Sequence, residues 1–91
     1  MNKYEATFIF YTEDERFKKG LDFVKAELAK INANIQKEDD LGIRELAYLI
    51  KKESRAHYIY FELEADPAAL DGIYKNFNLN VDILKYLFIK K

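Results

Sequence analysis

The sequence contains no cysteine, and His57 is the single histidine among its 91 residues. Without cysteine the chain has no disulfide, no thiolate nucleophile and no cysteine-ligated metal, so a domain of this size must depend on its hydrophobic core. This composition suits a reducing compartment. One histidine leaves almost nothing for a nucleophile–base pair or a histidine-rich metal site. We therefore expect no catalytic residue, no metal site and no cofactor.

Glycine and long apolar runs are also scarce. The three glycines, Gly20, Gly42 and Gly72, are too scattered to form a phosphate-cradling loop, which argues against nucleotide-dependent catalysis. No apolar run approaches the roughly 20 residues of a membrane span. Residues 1–11 alternate in character instead of forming the apolar run of a signal peptide. We expect a cytoplasmic protein with no membrane partner and no small-molecule substrate.

No charge of one sign dominates, because 15 basic residues stand against 16 acidic ones and give a net charge of -1. The chain therefore has no global positive field that would draw it to nucleic acid, and any RNA contact must be local or shared with a partner. The adjacent carboxylates Glu38, Asp39 and Asp40 lack the spacing and turn glycine of a calcium loop. We interpret them as a solvated acidic edge.

Hydrophobic periodicity predicts the first half of the chain. Residues 3–11 alternate in character and predict a half-buried strand. Thr12 and Glu15 have the spacing of a capping box, which predicts a helix start. The apolar residues that then recur at steps of three and four, and so share one helical face, are Phe17, Leu21, Val24, Leu28 and Ile31. Gly20 within this helix would be costly unless the backbone packs closely there.

The second half of the chain predicts two further strands, a helix and a last strand. Residues 34–52 indicate a long strand that is interrupted near Gly42, where a bulge is expected. Residues 51–55 predict a polar turn, and residues 57–64 alternate as the second strand of a hairpin. Asp66 and Pro67 predict a helix start. The buried stripe of this helix is expected to be Leu70, Ile73, Tyr74 and Phe77, before a final strand at 81–89.

The order strand, helix, strand, strand, helix, strand predicts one α+β domain over residues 1–91 with the ferredoxin-like βαββαβ fold. Its four-stranded antiparallel sheet would carry both helices on one face, which leaves the other face open. Tyr58 and Tyr60 are predicted on that open face, where tyrosines can stack on RNA bases or contact a protein. Glu62 and Glu64 follow on the same face and repel phosphate, so we favour the protein contact.

Several segments resemble the bacterial small-subunit ribosomal protein six family. They are Tyr4-Glu5, Leu41-Gly42-Ile43-Arg44, and Leu46-Ala47-Tyr48 followed by Ile50 and Lys52. The resemblance covers essentially the whole chain. It implies a ferredoxin-like fold without enzymatic activity, a heterodimer with ribosomal protein eighteen of the small subunit, and joint binding to the central domain of small-subunit ribosomal RNA. It also implies a cytoplasmic location in the ribosome.

Two positions depart from the family pattern. Leu49 stands where many members have proline, and Ala56 stands where the hairpin usually has glycine. Because alanine tolerates positive φ poorly, Ala56 predicts a changed backbone conformation in the hairpin turn.

Two sets of candidate functional residues follow. The basic residues predicted to face RNA are Lys3, Arg44, Lys51, Lys52, Arg55, Lys85 and Lys90. The residues predicted to form an apolar protein-contact face are Ile9, Tyr11, Tyr58, Tyr60 and Leu87. The alternative functions are a free-standing RNA-binding module or a ligand-sensing domain. The ligand-sensing alternative would require paired acid–base groups in a pocket, and the sequence offers none.

Overall fold

The computed structural model describes residues Met1–Lys91 and has six elements in the predicted order. They are β1 (Asn2–Phe10), α1 (Asp14–Lys30), β2 (Asn34–Ile50), β3 (Glu53–Ala65), α2 (Pro67–Leu79) and β4 (Ile83–Lys90). The strands form one antiparallel sheet in the order β2-β3-β1-β4. The ferredoxin-like fold is confirmed. Neither helix has both the length and the apolar character needed to cross a membrane.

The core lies between the helices and one face of the sheet, and Phe8 of β1 is at its centre. Alternate residues of β1 and β3 are buried, as the period of two in these strands requires. Phe8 is fully buried, and the aromatic side chains within 5.2 to 6.1 Å of its ring centroid are Phe10, Phe61, Phe77, Tyr86 and Phe88. Most of these pairs are edge-to-face, which suits the quadrupoles of the rings.

Both helices turn their predicted stripes toward this core. In α1, Val24 and Leu28 are buried, and the half-buried residues that pack against the core from the same stripe are Phe17, Leu21 and Ile31. In α2, Leu70, Ile73 and Phe77 are buried and Tyr74 is half-buried. The predicted start of α2 is confirmed, because Asp66 accepts a 3.1 Å hydrogen bond from the Ala68 amide and Pro67 occupies the first helical position.

A buried carboxylate joins the two helices. Glu27 of α1 accepts hydrogen bonds from Lys30 at 2.7 Å and from Asn76 of α2 at 2.5 Å. The hydrogen bond from Lys30 lowers the pKa of Glu27, against the opposing effect of desolvation and with help from Asn76. The charge is therefore satisfied although the side chain is almost inaccessible to solvent.

The predicted capping box at the start of α1 is wrong. The helix begins at Asp14, one residue after Glu13 as N-cap, and no side chain caps it. Arg16 instead holds this end: its guanidinium lies 3.4 Å from the Tyr11 ring centroid and donates to Asp82 at 3.0 Å and to the carbonyl of Val81 at 2.5 Å. Val81 and Asp82 precede β4, which begins two residues later than predicted.

The hairpin turn is shorter than predicted. Only Lys51 and Lys52 lie between β2 and β3, and both have positive φ, 48° and 68°, as a two-residue turn between twisted strands requires. The predicted turn at residues 51–55 is therefore wrong beyond Lys52. Ala56 is also outside the turn, because it is buried in β3 opposite Arg44 and its φ is not positive.

The predicted bulge at Gly42 is confirmed. The register of β2 against β3 shifts between Asp40 and Gly42, and Gly42 has a φ of 82°. Further shifts follow Ile35 and Glu45. β2 nevertheless remains one strand, and its residues on either side of Gly42 both pair with β3.

Gly20 is required by a close contact between α1, β1 and the segment before β4. A Cβ atom at this position would lie 2.7 Å from a ring carbon of Phe10 and 3.0 Å from the carbonyl oxygen of Asp82. Because the Phe10 ring is fully buried and the Asp82 atom belongs to the backbone, neither neighbour moves away easily.

We expect Gly20→Ala to lower the free energy of unfolding by about 1–3 kcal/mol, because overpacking outweighs the roughly 1 kcal/mol gained in helix propensity. Gly72→Ala in α2 is the matched control, since a Cβ there meets nothing within 4 Å. It should stabilise the protein by about 0.5–1 kcal/mol. Urea unfolding of both variants checks this, and a Gly20→Ala variant as stable as Gly72→Ala would contradict the close contact.

Candidate functional site

The open face of the sheet groups four of the five predicted protein-contact residues around Thr7. Thr7 of β1 pairs with Tyr60 on one side and with Leu87 on the other. Ile9, the next β1 residue on this face, pairs with Tyr58 and with Lys85. The alternation that buries Phe8 toward the helices therefore places these side chains on the opposite face.

Residues 46–52, here called the hairpin arm, bring the end of β2 close to β4, although these strands are not neighbours in the sheet. The Lys51 ammonium lies 3.3 Å from the carbonyl oxygen of Ile83, and the Lys85 ammonium lies 3.4 Å from the Tyr48 hydroxyl. The register shift after Glu45 precedes the arm. Bulges of this kind increase twist and bend a strand.

A cleft of about 340 Å³ lies between the hairpin arm and the open face, and we call it the arm cleft. Eight of its ten lining residues are hydrophobic. The ten lining residues are Thr7, Ile9, Leu46, Ala47, Tyr48, Ile50, Tyr58, Lys85, Tyr86 and Leu87. The cleft offers an apolar cavity with a basic side chain in its lining, and it has no paired acid and base.

Tyr60 lies beside the arm cleft rather than in its lining. Its hydroxyl lies 2.5 Å from a carboxylate oxygen of Glu5 and 2.9 Å from one of Glu62, and its single proton is shared between these two acceptors. The hydrogen bond to Glu5, with desolvation and the second bond to Glu62, raises the pKa of Tyr60 well above its usual range. This part of the open face is thus acidic and poorly suited to phosphate.

Tyr11 is separated from the other predicted protein-contact residues. Arg16 covers its ring at the connection between β1 and α1, and Tyr11 does not line the arm cleft. Three of the five residues, Ile9, Tyr58 and Leu87, therefore line the cleft, Tyr60 borders it, and Tyr11 supports the start of α1.

The seven predicted RNA-facing residues fall into three groups. Lys51, Lys52 and Lys85 lie where the hairpin arm meets the start of β4. Lys3 and Lys90 lie at the other end of the sheet, where the Lys91 amide donates to the Lys3 carbonyl. The third group is Arg44 and Arg55, which flank the arm on β2 and β3.

The groups are not equivalent in their surroundings. Lys51 and Lys85 line a second cleft of about 370 Å³, which we call the basic cleft, and the other lining residues are Phe77, Asn78, Ile83, Leu84 and Tyr86. The Arg44 guanidinium lies 5.7 Å from the Tyr58 ring centroid. In the sheet, Lys85 pairs with Ile9 of β1, and Lys90 pairs with Tyr4 of the same strand. Five residues of strand, about 16 Å, therefore separate Lys85 from Lys90.

Sequence reasoning missed Tyr48 and Asn78 as candidate site residues. Tyr48 is 64% exposed and touches Lys85, and Asn78 lines the basic cleft. The sequence signal for Tyr48 was present, because it is an aromatic residue three positions before Lys51 in a strand that was predicted to end in a basic turn.

The acidic segment of β2 is held by ion pairs. Glu38 pairs with Lys25 at 2.9 Å and Asp39 with Lys37 at 3.4 Å. Asp40 contacts the His57 ring nitrogen Nε2 at 2.6 Å and accepts from the Gly42 amide at 2.8 Å.

The His57 ring is parallel to that of Phe17, with centroids 3.8 Å apart. One carboxylate thus connects the bulge of β2 to β3, and through His57 to α1.

Comparison with known proteins gives consistent matches. Residues 3–90 match the family model described as ribosomal protein S6. The chain is 38% identical to the small ribosomal subunit protein bS6 of Treponema denticola over 90 residues, which cover 99% of this chain and 97% of that protein. It is 35% identical to the bS6 protein of Borrelia hermsii, with 100% of this chain and 70% of that protein covered.

Solved structures share the fold. The crystal structure of 30S ribosomal protein S6 from Thermotoga maritima superposes with a TM-score of 0.89 at 22% identity, covering 99% of this chain and 87% of that one. The C-terminal domain of the MgtC protein from Mycobacterium tuberculosis superposes with a TM-score of 0.67 at 9% identity, covering 100% and 88%. At these identities the likeness concerns the fold alone.

The contacts of Asp40 predict a pH dependence of stability. Partial desolvation raises the pKa of Asp40, but the hydrogen bonds from His57 and Gly42 and the charge on His57 together hold the pKa below its usual value. A carboxyl group whose pKa is lower in the folded state than in the unfolded state stabilises the folded protein at pH values above the unfolded-state pKa. This stabilisation is lost as the pH falls through the folded-state pKa.

We expect the free energy of unfolding of the native sequence to fall more steeply between about pH 5 and pH 2 than that of Asp40→Asn. The difference should not exceed about 1 kcal/mol, because the carboxylate is largely exposed and screened. The control is Asp22→Asn. Asp22 is an exposed residue of α1 without an ion pair, so this variant should have the same pH profile of stability as the native protein. Parallel profiles for the native protein and Asp40→Asn, from urea unfolding at each pH, would contradict the role of this contact.

Proposed function

Because this chain belongs to the ribosomal protein S6 family, we propose that it binds the central domain of small-subunit ribosomal RNA together with ribosomal protein eighteen of that subunit. Members of the family are structural components of the small ribosomal subunit and are not enzymes, so the chain acts in the ribosome, in the cytoplasm. The arm cleft is the observation that carries the proposed protein contact.

The apolar lining of the arm cleft supports a protein partner. Leu87 is 58% exposed on the open face, beside the half-buried Ile9 and Tyr58. Apolar side chains that cluster around a cavity suit the fully buried centre of a protein interface, where one large side chain of a partner fills the cavity. Tyr58 adds aromatic area with little loss of side-chain entropy.

The charge distribution supports RNA binding that is shared with the partner. The net charge of -1 and the acidic surroundings of Tyr60 give the isolated chain little attraction for phosphate. Lys85, however, lines both the arm cleft and the basic cleft, so a protein in the first and RNA at the second would be neighbours. Binding of the two partners would then be cooperative, since each adds contacts for the other.

The alternatives are less well supported. A ligand-sensing domain would need polar groups that converge in a pocket, yet the ionisable residues that line the arm cleft are three tyrosines and Lys85. A free-standing RNA-binding module would need a broad basic face. The basic residues of this chain instead occupy separate ends of the sheet and the arm.

A gel-shift titration tests the proposal directly. A central-domain fragment of small-subunit ribosomal RNA would be titrated with this protein alone, with ribosomal protein eighteen alone, and with both. We expect a clear shift at submicromolar protein only with both. Tight binding by this chain alone would favour the free-standing module. No binding in any mixture, with RNA confirmed as folded, would overturn the proposal.

We expect Leu87→Ala to weaken the complex with ribosomal protein eighteen by about 1–2 kcal/mol, because the side chain lines the arm cleft and would be buried by the partner. The fold should be unaffected, since Leu87 is exposed in the free chain. Leu79→Ala is the matched control: Leu79 is 78% exposed at the end of α2 and does not line either cleft. Equal affinities of both variants in titration calorimetry would remove the arm cleft from the interface.

A further inference from the structure

We propose that the tip of the hairpin arm is a binding site for a single unstacked nucleotide of RNA. Its base stacks on the ring of Tyr48, and an adjoining phosphate occupies the basic cleft. This inference rests on the proposed binding of ribosomal RNA, and it assigns to that binding a specific pocket, a nucleotide conformation and the side chains that contact base and phosphate.

Tyr48 has the exposure that a stacking platform needs. It is the one aromatic residue among the large hydrophobic side chains that the fold leaves exposed. The other aromatic rings of the chain lie in or against the core or, in Tyr11, Tyr58 and Tyr60, belong to half-buried side chains. An aromatic ring that is presented to solvent beside cations is the usual platform for an RNA base, and stacking of this kind accepts any of the four bases.

The basic cleft supplies donors for the phosphate. The Lys85 ammonium lies 5.9 Å from the Tyr48 ring centroid and so stands beside the stacked base. Lys51 uses one of its donors on the Ile83 carbonyl and keeps the others. The Oδ1 atom of Asn78 accepts a 2.8 Å hydrogen bond from the Tyr86 hydroxyl, which leaves its amide group as a further donor.

No carboxylate opposes these donors in the basic cleft. None of its seven lining residues is acidic. Asp82 precedes β4 but is held by Arg16 at 3.0 Å, and Glu53 pairs with Ile50 across the turn and does not line the cleft. A cavity with two ammonium groups and no acid favours a polyanion over a protein segment.

The backbone holds this site in place before RNA arrives. Lys51 and Lys52 have left-handed φ values that define the two-residue turn, and the contact of Lys51 with Ile83 fixes the arm against β4. Tyr48 and Lys51 therefore come from the arm, whereas Asn78 and Lys85 come from α2 and β4. Because the parts are already assembled, little ordering is needed when the nucleotide binds.

The test uses the complete chain with ribosomal protein eighteen and the central-domain RNA fragment. Tyr48→Leu, which removes the aromatic ring, should weaken RNA binding by the pair about tenfold, the effect of losing one stacked base. Tyr48→Phe retains the ring and should bind within about twofold of the native chain. Lys51→Ala should lower the slope of log affinity against log salt by about one. The matched control is Lys19→Ala, an exposed lysine of α1 without an ion pair, which should change neither quantity.

Titration calorimetry of each variant with ribosomal protein eighteen in the absence of RNA separates the possible occupants. We expect Tyr48→Leu to leave this affinity within about twofold. A loss of protein affinity as large as the loss of RNA affinity would make Tyr48 a protein contact and overturn the nucleotide site. If the native pair binds RNA and Tyr48→Leu binds it equally well, the site is wrong and the proposed function stands. If the native pair does not bind RNA, both are wrong.

Discussion

Phe8 is fully buried between the sheet and both helices, and its contacts with five aromatic rings decide which face of the sheet is the core. A strand can bury only alternate residues against one layer of helices. The burial of Phe8 and Phe10 therefore obliges Thr7 and Ile9 to face the other way, with no helix to cover them. The open face that carries the candidate site is a direct consequence of how the core is packed.

The hairpin arm converts this flat face into a site with two cavities. β2 and β3 are longer than β1 and β4, and their register shifts bend the hairpin until its tip reaches β4. The bend depends on local backbone conformation at Gly42, Lys51 and Lys52, where φ is positive. Asp40 and His57 connect the bulge to the stacked ring of Phe17, so this part of β2 is joined to α1.

The open face has an acidic part around Tyr60 and a basic part at the arm, and the net charge of the chain does not reveal this difference. Around Tyr60 the hydroxyl is held between two carboxylates, which disfavours RNA. At the arm, lysines approach one another across the basic cleft without a carboxylate in its lining. A nearly neutral protein thus has a local basic patch at one end of its sheet, next to an apolar cavity.

Several features could be predicted from the amino-acid sequence. They are the six elements and their order, the buried stripes of both helices, the start of α2 at Asp66 and Pro67, and the bulge at Gly42. These features depend on side-chain periodicity or on the backbone preferences of single residues, which are local properties. The family itself was also recognisable from short segments of β1 and β2, and the match to the family model confirms it.

The other features could not be predicted from the sequence, because they depend on contacts between residues that are distant along the chain. The start of α1 is set by Arg16 with Tyr11 and Asp82 rather than by Thr12 and Glu15. The separation of Tyr11 from the cleft follows from its contact with Arg16, and the meeting of Tyr48 with Lys85 follows from the bend of the hairpin toward β4. That bend results from accumulated register shifts between two long strands, and no periodicity within either strand records it.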